Sequence, residues 1–187
     1  METKCDHVKL EKWRIKLGFC GKLVVNSLGK SGGLCLYWIN NVVVDLLTYS
    51  QCHIDVMISG LGSKRWRFTG FYGHPEQSQM KHSWTLLWRL ACMSTLPWVC
   101  MGDFNEIFSD KEKLGGVPKN WKDISDFREV VEECNLEDMG YIGPCFTWSN
   151  KTAGASLIME RLDRSFCTRD WGRLFPQYVI RHLEFFG

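Results

Sequence analysis

No stretch of this 187-residue chain approaches the roughly eighteen consecutive apolar residues of a membrane-spanning helix, and the opening METKCDHVKLEKW is too charged for a secretory signal. These absences set the expectation of a soluble intracellular protein with no membrane partner. The nine cysteines are odd in number, form no CxxC pair, and in Cys35 and Cys100 sit inside apolar runs. That pattern speaks against a disulfide framework and for a reduced compartment in which thiols pack as small hydrophobes. The five histidines show no ligand-like spacing, which argues against zinc. Internal repeats, low-complexity tracts and interdomain linkers are missing too, so a single domain over 1–187, acting as a monomer, is expected. The net charge of +2 is no nucleic-acid signature, but charge is unevenly placed. Residues 101–140 hold 11 Asp/Glu against 5 Lys/Arg. A cation would be welcome near that stretch, although a solvated acidic helix accounts for most of it.

What is present reads as a layered α/β domain. A helix is expected near residues 4–16, followed by strand-like runs CGKLVVN, GLCLYWI, VVVDLLTY, CHIDVMIS and RWRFTGFY, separated by short turn-rich punctuation. The period then changes. SQMKHSWTLLWRLACM places Met80, Trp84, Leu87 and Ala91 at helical spacing and leads into the strand LPWVCM. A second helix starts after Asn120, a good N-cap, with Ile124, Phe127, Val130 and Val131 on one side. CFTWSN, SLIMERLD and QYVIRHLEFF read as further strands, with a short helix at RDWGRLF.

One short stretch concentrates chemistry. In WVCMGDFNEIF an apolar strand ends at Gly102 and at once presents Asp103, Asn105 and Glu106. Glycine permits a sharp exit from the sheet, and Asp and Asn two apart can face one pocket, one as an acceptor and the other as a neutral donor. An Asx turn that merely ends the strand explains the same letters. On GDFN alone the Asx turn leads.

Taken with METK, TGFYGHPE and TWSN followed by ERLDR, in this order and at these separations, GDFN resembles the endonuclease/exonuclease/phosphatase family. SGGLCLYW, GDFNEI, KLGG and FTWSN with ERLDR look most like the endonuclease domain of plant LINE-type (non-LTR) retrotransposon polyproteins. The resemblance implies a four-layer α/β sandwich of two mixed, largely antiparallel sheets flanked by helices. It implies magnesium-dependent hydrolysis of a DNA phosphodiester, with manganese as a substitute ion, no other cofactor, and a nuclear setting. Carried over residue by residue, Glu2 matches the metal ligand, Asp103 the residue that orients or deprotonates water, and Asn105 a donor to the scissile phosphate. Tyr72 matches a tyrosine of the phosphate pocket, and Asp163 the aspartate that orients a catalytic histidine. A phosphatase or phosphodiesterase of lipid or inositol substrates shares the fold, and a non-catalytic remnant that at most binds nucleic acid is a third alternative.

The sequence departs from the family pattern at both ends. The first strand with its asparagine motif and the final SDH segment have no counterpart, which sets the expectation of a truncated, incomplete domain with impaired activity. His182, in IRHLE, does not match the missing motif and is expected at the surface or packed in a strand. Other features are weighed more simply. Lys64, Arg65 and Arg67 around Trp66 could touch phosphates and stack a base, or could be a basic hairpin kept for solubility. Arg161 and Arg164, beside Asp163, could meet a DNA backbone. The NKTAGAS turn could reach a groove, and Trp148 could wall the pocket, although core packing leads for that residue. Glu106 and Asp110 could hold a second ion, with a solvated loop the simpler account, and His74 could approach the site.

Overall fold

A computed structural model describes residues 3, 5, 7–27, 32–60, 62 and 64–183 of the chain. Helix α1 (His7–Lys16) leads into a hairpin of β1 (Gly21–Val25) and β2 (Leu34–Trp38). Strands β3 (Val43–Ser50), β4 (His53–Ser59) and β5 (Trp66–Tyr72) follow as an antiparallel meander. Helix α2 (Met80–Cys92) then crosses over, so that β6 (Trp98–Asp103) pairs parallel to β5, as a helical crossover allows and a tight turn does not.

After β6 come β7 (Lys113–Leu114), α3 (Trp121–Glu133), β8 (Glu137–Asp138), β9 (Trp148–Ser149), β10 (Met159–Glu160), β11 (Asp163–Cys167) and α4 (Arg169–Leu174). The principal sheet has six strands in the order β3-β4-β5-β6-β11-β8, in which β5–β6 is the parallel pair. Beside it lie the two-stranded β1–β2 sheet and a small β7-β10-β9 sheet. The expected mixed, largely antiparallel sheets flanked by helices are thus observed.

Helices α2 and α3 cover one face of the six-stranded sheet. Their apolar stripes meet it through Phe71, Trp84, Leu87, Leu90, Phe104, Phe127 and Phe166, all buried. Asn120 caps α3 as expected, its side-chain oxygen accepting the Lys122 N–H at 3.0 Å. The opposite face carries the β1–β2 hairpin over Ile54, Val56 and Ile58. Strand β4 is therefore covered on both sides, and His53 and Asp55, which alternate with its apolar residues, are buried as well.

Two sequence expectations change. SLIMERLD reads as one strand ending at Asp163, whereas it holds the short β10 at Met159–Glu160 and the longer β11 only begins at Asp163. QYVIRHLEFF, of which residues 184–186 lie outside the described part, forms among its described residues only one isolated bridge, Ile142 to Arg181. A β-branched run makes a strand only where a sheet edge is offered along its length, and here just one residue meets one.

Candidate active site

Strand register builds the centre of the site. Tyr72 pairs with Asp103 across β5–β6, and Asp103 pairs with Asp163 across β6–β11. Directly paired residues point to the same face of a sheet, so Tyr72, Asp103 and Asp163 form one cross-strand row. Gly102 makes this register attainable. At φ 154° its α-carbon lies so near β5 that a Cβ would fall 1.9 Å from the Phe71 carbonyl oxygen. Gly73 has the same role one step on, where a Cβ would be 2.3 Å from the Phe104 carbonyl oxygen.

Asn105 joins the row from the loop after β6. Its backbone N–H donates to Asp103 Oδ1 at 2.9 Å, and its Nδ2 donates to the Gly73 carbonyl at 2.8 Å. The Asx turn weighed from sequence is therefore present, and it ties the Asn105 backbone to the Asp103 carboxylate while the side-chain amide is held on the Gly73 carbonyl. Asn105 has φ 54°, a left-handed conformation that costs a non-glycine residue on the order of 1–3 kcal/mol. Its second Nδ2 proton is left for another acceptor.

The position of Asp163 is held by a residue that sequence reasoning passed over. The Thr147 hydroxyl accepts the backbone N–H of Leu162 at 3.0 Å and of Asp163 at 2.9 Å. The available signal was its place beside Trp148 in TWSN. Trp148 itself is 41% exposed, which leaves its ring open to contact.

Below the row the same face continues through Gly70, Met101 and Ser165, each two residues from a member of the row. These residues floor a cavity of about 640 Å³ whose walls include Leu34, Leu36, Ile180 and His182. His182 hydrogen-bonds the Pro144 carbonyl through Nδ1 at 2.8 Å and stacks on Tyr141 with centroids 4.2 Å apart. His182 is half-buried outside any strand, and among the described residues no histidine is hydrogen-bonded to the Asp163 carboxylate.

Several expected contacts are corrected by burial. Arg67 is fully buried: its Nε donates to Asp55 Oδ1 at 2.8 Å, its Nη1 to the Leu90 carbonyl at 2.6 Å, and its guanidinium lies over the Trp98 ring. It cannot reach DNA. Arg161 and Arg164 are likewise inside, closing a ring with Glu112 and Asp138. Burial pushes the Asp138 carboxyl up, but Arg161, the Gly140 N–H and Arg164 together hold it below its ordinary value. These two arginines brace the start of β11 and are not a phosphate-binding surface. Lys64 and Arg65 are exposed, but they precede β5 while Tyr72 ends it. Seven strand residues span roughly 23 Å, so this pair sits at the far end of the sheet from the acidic row. Trp66 packs edge-on against Trp171 and Phe175 and does not await a base.

The second-ion reading of Glu106 and Asp110 fails in the same way, because the Glu106 side chain is buried and paired with Lys119 at 3.1 Å. His74 lies in the turn before α2, its Nδ1 accepting the Glu76 N–H. The NKTAGAS turn is exposed and closed on itself by Asn150 and Thr152. Glu2, the expected metal ligand, lies outside the described residues. Carboxylate oxygen is what a hard divalent cation takes, so Asp103 and Asp163 suit the expected ion in kind. No three His, Cys, Asp or Glu among the described residues converge as a cage, and magnesium needs only one or two carboxylates beside water and phosphate oxygen.

Residues 2–184 match the Endonuclease/Exonuclease/phosphatase family. The chain belongs to that family. Its members hydrolyse phosphodiester bonds as nucleases and phosphatases, and they generally use divalent metals. No curated protein matches the sequence. Among solved structures, the endonuclease domain of TRAS1, a telomere-specific non-LTR retrotransposon, is similar at TM-score 0.63 and 15% identity, over 80% of this chain and 67% of that one. The 3′ phosphatase NExo from Neisseria, bound to a product DNA hairpin, is similar at TM-score 0.65 and 16% identity, over 90% and 74%. At such identities the likeness shows the shared fold. Among the described residues, no helix of this family member is long and apolar enough to cross a membrane.

Proposed function

We propose that this chain is a nuclease domain that hydrolyses a DNA phosphodiester, of the kind that nicks target DNA for a LINE-type retroelement, with magnesium as its ion. The carrying observation is the cross-strand row of Tyr72, Asp103 and Asp163 with Asn105 hydrogen-bonded onto it. In this reading Asp103 accepts a proton from water as the water oxygen attacks phosphorus. The bond from phosphorus to the leaving sugar oxygen breaks, that oxygen keeps the bonding electrons and takes a proton from solvent water, and the remaining Asn105 amide proton and the Tyr72 hydroxyl donate to the phosphate oxygens where charge grows. A bound divalent cation would supply charge neutralisation on the phosphate. Turnover is expected to be slow, because no imidazole joins Asp163 among the described residues and members of a catalytic set act as a unit. Supercoiled plasmid incubated with the chain and magnesium tests the reading: nicking lost in Asp103→Ala supports it, and nicking that persists in that variant refutes the assignment.

A second reading draws on the cavity. Its lining beside Asp163 includes the apolar Leu34, Leu36, Ile54, Phe68 and Met101, which favours a phosphodiester with an apolar body, such as a phospholipid headgroup ester. Release of phosphorylated headgroup from phospholipid vesicles, without plasmid nicking, would select this reading over the first.

A further inference from the structure

Asn105 and Glu106 are neighbours put to different uses. Asn105 donates its backbone N–H to Asp103 and its side-chain amide to the Gly73 carbonyl, whereas Glu106 is wholly buried. Its Oε1 lies 3.1 Å from Lys119 Nζ and accepts the Ile107 N–H at 2.9 Å, while Oε2 accepts from Gln77 Nε2 at 3.4 Å. Those partners come from three segments: the connection from β5 to α2, the loop after β6, and the loop before α3. A left-handed non-glycine residue persists only where its surroundings over-determine it. On the N-terminal side of Asn105 the pin is Phe104, buried against Phe71, Phe127 and Phe166. On the C-terminal side the pin is the Glu106 carboxylate.

We propose that Glu106 and Lys119 are a positioning pair for Asn105. The carboxylate, clamped by a lysine that reaches it from the solvent side, fixes the turn over residues 104–107. The Asn105 amide then stays in register with Asp103. Glu106 touches no substrate and acts through its neighbour. Only the catalytic consequence rests on the proposed role of Asn105; the geometric claim stands by itself.

The test uses the full chain labelled with ¹⁵N-asparagine, in wild type, Glu106→Gln, Glu106→Ala and Lys119→Met, and pairs the Asn105 backbone and side-chain amide signals with plasmid-nicking kinetics. Glu106→Ala and Lys119→Met are expected to shift both signals and to lower kcat by on the order of 100-fold with little change in KM, as a misplaced group does. Glu106→Gln, which keeps an acceptor for Ile107, is expected to recover much of both. Glu106→Ala could fail to fold; Lys119→Met and Glu106→Gln then carry the test. Asn105 signals unmoved in Lys119→Met would overturn the pairing, and moved signals with an unchanged kcat would overturn its catalytic consequence. If wild type nicks nothing, the nuclease reading falls, and the Asn105 signals alone decide the positioning claim.

Discussion

The two faces of the six-stranded sheet differ in how completely they are closed. On the helix face aromatic rings interlock: Trp84 stacks on Phe127 at 4.5 Å, Phe71 on Phe104 at 4.9 Å, and Phe104 meets Phe166 edge-on at 5.0 Å. On the other face the β1–β2 hairpin covers only part of the sheet, and a cavity of about 640 Å³ remains between β2, the sheet and residues 179–183. The acidic row lies on this second face, while the loop residue Phe104 that follows Asp103 is anchored in the first. A closed face thus holds strand register, and the open face exposes the side chains that register aligns.

The contrast can be tested by perturbing each side in turn. The largest loss is expected at Arg67→Met, which strands the buried Asp55 carboxylate with Thr69 as its remaining hydrogen-bond donor. Removing one partner of a buried pair costs about 3–5 kcal/mol, readable as a lower midpoint in urea. Leu87→Ala, at a fully buried position between α2 and the sheet, is expected to cost about 2–5 kcal/mol through lost contacts and a new void. Leu36→Ala already borders open space and is expected to cost only about 1–2 kcal/mol. Equal losses at Leu36 and Leu87 would erase the difference between the faces.

The smallest effect concerns the β3–β4 hairpin. There His53 is buried between the Thr48 and Ser50 hydroxyls, with Asp55 and Arg67 nearby. Burial holds its pKa below the ordinary 6.5. A depressed folded value leaves stability intact above the unfolded pKa and removes it as pH falls through the window below 6.5. The loss is at most about 1 kcal/mol between pH 6.5 and 5.5. Faster amide exchange in β3 and β4 at pH 5.5, beyond that expected from intrinsic chemistry, would show it; unchanged protection would mean that His53 stays solvated.

Much of the architecture could be read in the letters because period reports local structure. The α2 and α3 stripes, the Asn120 cap and strands β1 to β6 all fall where hydrophobic spacing puts them. Of the residues that the ordered motifs single out, Tyr72, Asp103 and Asp163 are brought into one row by strand pairing. Burial of arginine was not legible. Arg67, Arg161 and Arg164 look like any basic residues in sequence, and only carboxylates far along the chain, Asp55, Glu112 and Asp138, reveal them as internal. Thr147 was missed for the same reason, because a hydroxyl that accepts two backbone N–H groups from another segment has no local mark.

The amino-acid order alone determined the helices, strands β1 to β6 and the break at Gly102, since backbone preference and apolar period act over a few neighbours. Tertiary structure decided which carboxylates share a face, which cations are neutralised inside, and that Glu106 is buried beside a residue hydrogen-bonded to Asp103. Those outcomes depend on pairing and desolvation between segments dozens of residues apart, and no local pattern encodes the distance that closes when the sheet forms.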